Sequence, residues 1–132
     1  MQLRFVRIGV ADQGKALAFY TEKLGFEKRA DLMMGKRRFL TVAAPQGIEG
    51  VQLILEAVEF PPALAYQQAC YAAGLPALAI NTDNVAGDVS RLTKNGVVFK
   101  GSPADHGPII SVCFDDTCGN LVHLVQAKPR PG

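Results

Sequence analysis

The sequence predicts an α+β fold of two βαβββ modules whose sheets curve around a central cleft, with the helices outside. Short segments in which apolar and polar residues alternate are separated by turn residues, which is typical of strands with one buried face. Features of the first half also recur in the second at one offset. The pairs are Asp12 with Asp83, Gly25 with Gly96 and Gln52 with His123, each 71 residues apart. A repeated unit that cannot bury its sheet alone implies that the two copies pair.

Chain length and hydrophobic content set the domain organisation. A chain of 132 residues that is 48% hydrophobic can bury one core and is too short for two independent ones. We therefore expect residues 1–132 to form a single domain. Its parts are module one over residues 3–60, a linking helix over 61–75 and module two over 76–127.

The first module begins with an alternating strand, residues 5–10, in which Val6, Ile8 and Val10 share one face. Asp12 is placed to cap a helix over residues 14–24, and Gly25 followed by an apolar residue is a typical helix ending. Three further strands are predicted, over residues 28–33, 38–43 and 51–56.

The second module repeats this order after a linking helix over residues 63–73, which the prolines before it and Gly74 delimit. A strand over residues 78–82 precedes a helix over 86–95, capped by Asp83 or Asn84. The remaining strands are predicted over residues 97–100, 109–114 and 121–126. Asp116, Gly119 and Asn120 supply the turn that leads into the last strand.

Composition argues against several classes of partner. A net charge of +2 with scattered basic residues is not the footprint of a nucleic-acid-binding protein. No apolar run approaches the ~18 residues that span a bilayer, so we expect no membrane partner. The first residues lead directly into a strand without a leader pattern, and three cysteines without CxxC spacing fit reduced thiols. These features predict a cytoplasmic protein.

Two segments resemble a known superfamily. Residues 16–26 match the pattern A-x-x-F-Y-x-x-x-L-G-F, and residues 116–124 match D-x-x-G-N-x-x-E-L except that His123 stands where the glutamate is usual. The chain resembles the vicinal oxygen chelate superfamily, which includes glyoxalase I, bleomycin-resistance proteins, fosfomycin-resistance enzymes and extradiol dioxygenases. The resemblance implies a ligand cleft between paired modules, and a homodimer, since relatives commonly cover their open sheet edges by dimerising.

The same resemblance bears on metal binding. Metal-using relatives take ligands from the first and last strand of each module, and the matching positions are Phe5, Gln52, Pro76 or Ala77, and His123. Two of these four have no donor atom, whereas a catalytic zinc site needs about three protein ligands. We therefore expect no metal and no other cofactor.

The strand faces opposite the helices are expected to line the cleft. The candidate ligand-binding residues on these faces are Phe5, Arg7, Gln52, Ile54, Glu56, Leu121 and His123. Arg7 keeps its charge and so needs a partner, either Glu56 or an incoming anion. His123 is the candidate catalytic residue, as a general acid or base, although a strand histidine can equally be a packing residue.

Function is predicted less closely than fold, because one scaffold supports many chemistries. The chain has no G-x-S-x-G, P-loop or dinucleotide-binding pattern. The first hypothesis is metal-independent binding of a small molecule, a sequestered organic anion. The alternative is an enzyme of the same superfamily, a lyase, isomerase or dioxygenase, that uses His123 or a bound divalent metal.

Overall fold

The computed structural model describes residues 1–128 and contains the predicted elements in the predicted order. The first half comprises β1 (Phe5–Val10), α1 (Gln13–Ala18), β2 (Glu27–Met34), β3 (Arg37–Ala43) and β4 (Gln52–Ala57). Helix α2 (Pro61–Ala72) links it to the second half. The second half comprises β5 (Leu78–Asn81), α3 (Val85–Lys94), β6 (Val98–Asp105), β7 (Ile109–Asp115) and β8 (Leu121–Ala127).

The strands form two open, mixed four-stranded sheets of the same topology. Their orders are β1-β4-β3-β2 and β5-β8-β7-β6. The pairs β1–β4 and β5–β8, at one edge of each sheet, are parallel, and the remaining neighbouring strands are antiparallel. The repeat inferred from the sequence is therefore confirmed as a repeated α+β topology. None of the helices described within residues 1–128 combines the length and apolar character that crossing a membrane requires.

The segment after β1 follows the sequence signals at its two ends but not in its middle. Asp12 accepts a hydrogen bond from the backbone N–H of Lys15 at 2.8 Å, as the predicted N-cap. Gly25 ends the helix with φ +81°. The predicted continuous α-helix is wrong in its last part, because the residues from Phe19 to Lys23 form a wider π-helical turn.

Strand β6 differs most from the sequence expectation, and the structure decides between the two caps that were predicted for α3. Strand β6 continues to Asp105, beyond the predicted end at Lys100, through a register shift that includes Gly101 with φ +83°. A bulge lets a strand continue past an irregular residue, and alternation alone does not reveal it. Asn84, rather than Asp83, caps α3 by accepting from the backbone N–H of Gly87 at 3.0 Å.

The helix-facing sides of both sheets share one apolar core. Ile8 and Val10 from β1 are almost fully buried, as the alternation predicted. Phe19 stacks on Phe114 of β7, with ring centroids 6.1 Å apart and an interplanar angle of 29°. Because this shared core occupies one face of each sheet, the opposite faces are free to form a binding surface.

A buried polar network joins the start of β8 to the end of β1. The carboxylate of Asp116, which is 0% exposed, accepts from the backbone N–H groups of Cys118 and Asn120 and from the hydroxyl of Tyr20 at 2.8, 3.0 and 2.9 Å. Asn120 donates its side-chain amide to the carbonyl of Gly9 at 2.8 Å. Burial raises the pKa of Asp116 and that of Tyr20. The turn thereby fixes the two sheets relative to each other at this point.

Candidate functional site

The candidate residues of β1 and β4 lie on one face of the first sheet as direct cross-strand neighbours. Phe5 pairs with Gln52, Arg7 with Ile54, and Gly9 with Glu56. Thr41 of β3 lies beside Ile54 and donates its hydroxyl to the side-chain oxygen of Gln52 at 2.7 Å. The alternation read from the sequence therefore selected residues that share a face.

A first cavity of about 380 Å³ opens where this face meets helix α2 and the start of β8. Arg7, Gly9 and Glu56 form its side on the first sheet, and Leu121, which is 5% exposed, lies on the second. The residues of α2 and its flanks that line it include Phe60, Ala63, Tyr66, Gln67, Cys70, Tyr71 and Leu75. Its wall is thus mostly apolar and aromatic, with charge at one end.

A second cavity of about 290 Å³ lies further along the same face of the first sheet. Ile54, Phe39 and Met34 contribute apolar surface there. Arg7, Arg37 and Glu56 line this cavity as well as the first. Glu59 also lines both cavities, so they adjoin at four charged side chains, of which we call Arg7, Arg37 and Glu56 the arginine cluster.

Within the arginine cluster, one carboxylate lies between two guanidinium groups. Arg7 Nε is 3.6 Å from Glu56 Oε2, and Arg37 Nη2 is 3.8 Å from Glu56 Oε1. The arginine side chains are 68% and 72% exposed and the glutamate side chain 33%. The question left open by the sequence is thus answered in part: Arg7 does contact Glu56, but Glu56 also faces a second cation.

Arg37 is the site residue that sequence reasoning missed. It lies at the start of β3, where Met34 is its cross-strand partner in β2, and it shares a face with Phe39 and Thr41. The alternation of β3 contained this signal. Selecting Arg37 also required the pairing register between β3 and β4. Two turns and a long loop set that register, and the local sequence pattern does not reveal it.

Helix α2 forms one wall of the first cavity although it has no fully buried residue. Gln67 anchors it by donating its side-chain amide to the carbonyl of Gly9 at 2.8 Å and to Asn120 Oδ1 at 3.0 Å. Tyr71 donates its hydroxyl to Asp115, a hydrogen bond that raises the pKa of Tyr71. Polar contacts, rather than an apolar stripe, therefore hold this wall in place.

His123 lies apart from these cavities. It is partly buried on the second sheet, where its cross-strand neighbours are Ala79 and Cys113, and it lines neither cavity. Burial raises the pKa of the Cys113 thiol, which disfavours the reactive thiolate. Phe5, which is 49% exposed, and Gln52 also line neither cavity, so the structure brings together four of the seven candidates: Arg7, Ile54, Glu56 and Leu121.

The positions that hold metal in relatives do not fit a divalent ion here. Phe5 lies opposite Gln52, and Ala79 lies opposite His123, which places Ala77 rather than Pro76 on the histidine's face. The donors left are one amide and one imidazole, on different sheets, against about three ligands in a catalytic zinc site. Within residues 1–128, no group of three or more His, Cys, Asp or Glu residues is arranged to hold a metal ion.

Comparison with known proteins places the chain among proteins of this architecture. The model of the family described as the Glyoxalase/Bleomycin resistance protein/Dioxygenase superfamily matches residues 2–124. The uncharacterised protein YurT of Bacillus subtilis (strain 168) is 42% identical over 126 residues, which cover 96% of this chain and 99% of YurT.

Two solved structures are similar over nearly their whole length. The crystal structure of UcmS2 is 34% identical, with a TM-score of 0.80 over 95% of this chain and 97% of that one. TnmS3, an antibiotic binding protein from Streptomyces sp. CB03234, is 29% identical, with a TM-score of 0.76 over 97% of each chain.

Proposed function

We propose that this chain, which belongs to the glyoxalase/bleomycin resistance protein/dioxygenase superfamily, binds a small organic anion beside Arg7 and releases it unchanged. The observation that carries the proposal is the first cavity, of about 380 Å³, whose apolar wall ends at the arginine cluster. That volume lies within the roughly 300–1,000 Å³ of small-molecule sites, which combine apolar walls with a few polar groups. The likeness to TnmS3, an antibiotic binding protein, supports binding as the activity.

Binding without chemistry is favoured by what lines the cavities. The residues from 1 to 128 include His106 and His123, and neither lines the first or the second cavity. General acid–base catalysis needs a titratable group within hydrogen-bonding reach of the substrate. The histidine assigned to the lyase, isomerase or dioxygenase alternative is therefore absent from both cavities, whose titratable carboxyl groups are Glu56 and Glu59. The residues at the metal positions do not supply a metal site in its place.

Titration calorimetry with aryl and aliphatic carboxylates tests this function. We expect carboxylates to bind wild-type protein, Arg7→Met to weaken them, and His123→Ala to leave them unchanged. Arg91→Met is the matched control, because Arg91 is also exposed, pairs with a carboxylate, Asp88, at 3.4 Å, and lines neither the first nor the second cavity. Mass spectrometry of the recovered ligand should show an unaltered compound. Carboxylates that bind Arg7→Met as tightly as wild type, or a ligand recovered transformed, would count against the proposal.

We also propose that the protein acts as a cytoplasmic homodimer. Large apolar side chains stand exposed on the first sheet outside both cavities, among them Phe5 at 49% and Leu32 at 50%. Exposed apolar side chains of this size are typical of interfaces. Cys70, Cys113 and Cys118 are unpaired in the described chain, which is consistent with a reducing compartment.

A further inference from the structure

We propose that the ligand lies across both cavities, with its anionic group held jointly by Arg37 and Arg7 and its apolar part against α2, and that Glu56 weakens this binding. The inference rests on the proposed function and specifies it.

Charge count gives the first step. Glu56 carries one negative charge and faces two guanidinium groups, so the arginine cluster carries one net positive charge. Glu59 also lines both cavities but forms no ion pair with either arginine in the described chain. A ligand carboxylate or phosphate can therefore bind without first displacing Glu56. Glu56 still repels such a ligand, because it lies within 4 Å of both cations.

The donor groups of Arg7 and Arg37 are less occupied than those of the neighbouring Arg38, which forms an ion pair with Asp31. Arg38 donates two hydrogen bonds to Asp31, at 2.8 and 2.9 Å, and this closed pair lowers the pKa of Asp31 to about 2. Neither Arg7 nor Arg37 makes a hydrogen bond to a carboxylate in the described chain, and both are exposed. Their donor groups are thus available for the bidentate contacts that guanidinium makes with planar oxyanions.

The distribution of charge between the cavities gives the orientation. The second cavity is lined by four cationic side chains, Arg7, Lys36, Arg37 and Arg38, against two carboxylates, Glu56 and Glu59. Even with Arg38 set aside as the partner of Asp31, an excess of positive charge remains there. The first cavity is lined by two cations and the same two carboxylates, so its charges balance. The anionic end of a ligand therefore favours the second cavity.

The apolar end of the ligand would contact exposed side chains that line the first cavity. Phe60 is 68% exposed, Tyr66 72% and Leu75 56%, and all three line the first cavity. Rigid aromatic side chains provide large contact areas at low entropic cost. A ligand with an aromatic or alicyclic body would bury this surface while its acid group reaches Arg37.

The experiment uses matched naphthalene probes, a carboxylate, its neutral carboxamide and the corresponding methylamine, titrated into full-length protein by calorimetry. We expect wild type to prefer the carboxylate over the carboxamide, with the preference shrinking between about 50 and about 500 mM sodium chloride because salt screens exposed charge. Arg37→Gln should lower the affinity for the carboxylate about tenfold, the order of one charge-assisted hydrogen bond, and leave the affinity for the carboxamide unchanged. Arg91→Gln is the control and should change neither.

Two further variants test the repulsion by Glu56 and the apolar contact with α2. Glu56→Gln should bind the carboxylate several-fold more tightly than wild type, since it removes the competing charge while keeping the side chain's shape. Tyr66→Ala should weaken carboxylate and carboxamide to the same degree, because it removes only apolar contact. Both variants change exposed or half-exposed side chains, and thermal melting would verify that they remain folded.

The outcomes separate this inference from the function on which it rests. If carboxylate and carboxamide bind equally and Arg37→Gln changes neither, the protein is a binding protein and the anion orientation is wrong. If Glu56→Gln weakens binding of the carboxylate, Glu56 orients the arginines and the sign assigned to its effect is wrong. If Glu56→Gln abolishes binding of the methylamine, Glu56 is itself a ligand contact and the site accepts cations. If none of the probes binds, the proposed binding function is overturned together with the inference.

Discussion

At the scale of single residues, the side chains at the metal positions determine whether a metal ion can bind. Phe5 and Ala77 stand where relatives carry donor atoms, and Gln52 already accepts a hydrogen bond from Thr41. We expect purified protein to contain no stoichiometric metal and to melt at the same temperature with and without a chelator. Elemental mass spectrometry and thermal melting would measure this. A bound ion whose removal lowers the melting temperature by several degrees would contradict it.

A second prediction at this scale concerns Asp116, whose carboxylate accepts from four donors, including the hydroxyl of Tyr20 and both amides of Asn120. Asp116→Ala leaves these buried donors unpaired, so the free energy of unfolding should fall by roughly 2–4 kcal/mol. Urea denaturation would measure the loss. Asp105→Ala, which removes an exposed carboxylate paired with Lys128, is the control and should cost less than about 1 kcal/mol. Equal effects of the two substitutions would show that the buried network adds nothing.

The residue scale also shows what the sequence could and could not reveal about the site. Arg7, Ile54 and Glu56 were found because alternation within one strand predicts which side chains share a face. Arg37 was missed because its neighbourhood depends on pairing between β3 and β4. His123 was singled out by the departure from a motif, but no local pattern indicates that its strand carries it away from the two cavities.

At the scale of elements, helix ends and strand positions followed local chemistry closely. Asp12 and Asn84 cap their helices through their own side chains, and Gly25 takes the left-handed backbone that ends the first. The π-helical turn and the bulge after Lys100 were not predicted, because apolar alternation and helix-capping residues do not reveal either feature. The position of α2 over the first cavity was equally unpredictable, because this helix has no apolar stripe and is anchored by side-chain amides.

The anchor of α2 supports a prediction of its own. Gln67 contacts Gly9 and Asn120, and a side chain at Gly119 would lie about 3.0 Å from the Gln67 amide, so the fit there is close. Gln67→Leu should loosen α2 while leaving the sheets intact, because it removes two hydrogen bonds from a helix with few buried contacts. We expect faster hydrogen exchange in α2 and weaker ligand binding, with the exchange of β1 and β8 nearly unchanged.

Gln68 provides the matched control, since it is the neighbouring residue on the same helix and is exposed. Gln68→Leu should leave both exchange and ligand affinity as in wild type. Slow exchange in α2 of Gln67→Leu would show that the helix is held by other contacts, such as the hydrogen bond between Tyr71 and Asp115.

At the scale of the whole molecule, the two sheets meet through one core, and the other face of the first sheet is exposed on the side of β2. Outside the two cavities the first sheet presents Phe5 and Leu32 to solvent, and its edge strand β2 is exposed along nearly its full length. Exposed edges and apolar faces favour association unless another surface covers them. The sequence predicted this arrangement only through the repeat, because a module that cannot bury its own sheet must pair with another.

A second copy of the chain is the partner we predict for this surface. Light scattering at micromolar concentration should report a particle of twice 14.1 kDa, with an interface above roughly 1,000 Å². Leu32→Glu places a charge on the exposed apolar face and should shift the particle to monomer. Met33→Glu is the control, because Met33 is the adjacent residue on the opposite face of β2 and is also exposed, at 63% against 50% for Leu32. Wild-type protein that scatters as a single chain at these concentrations would rule out the dimer. Dissociation by Met33→Glu but not by Leu32→Glu would place the interface on the other face of the sheet.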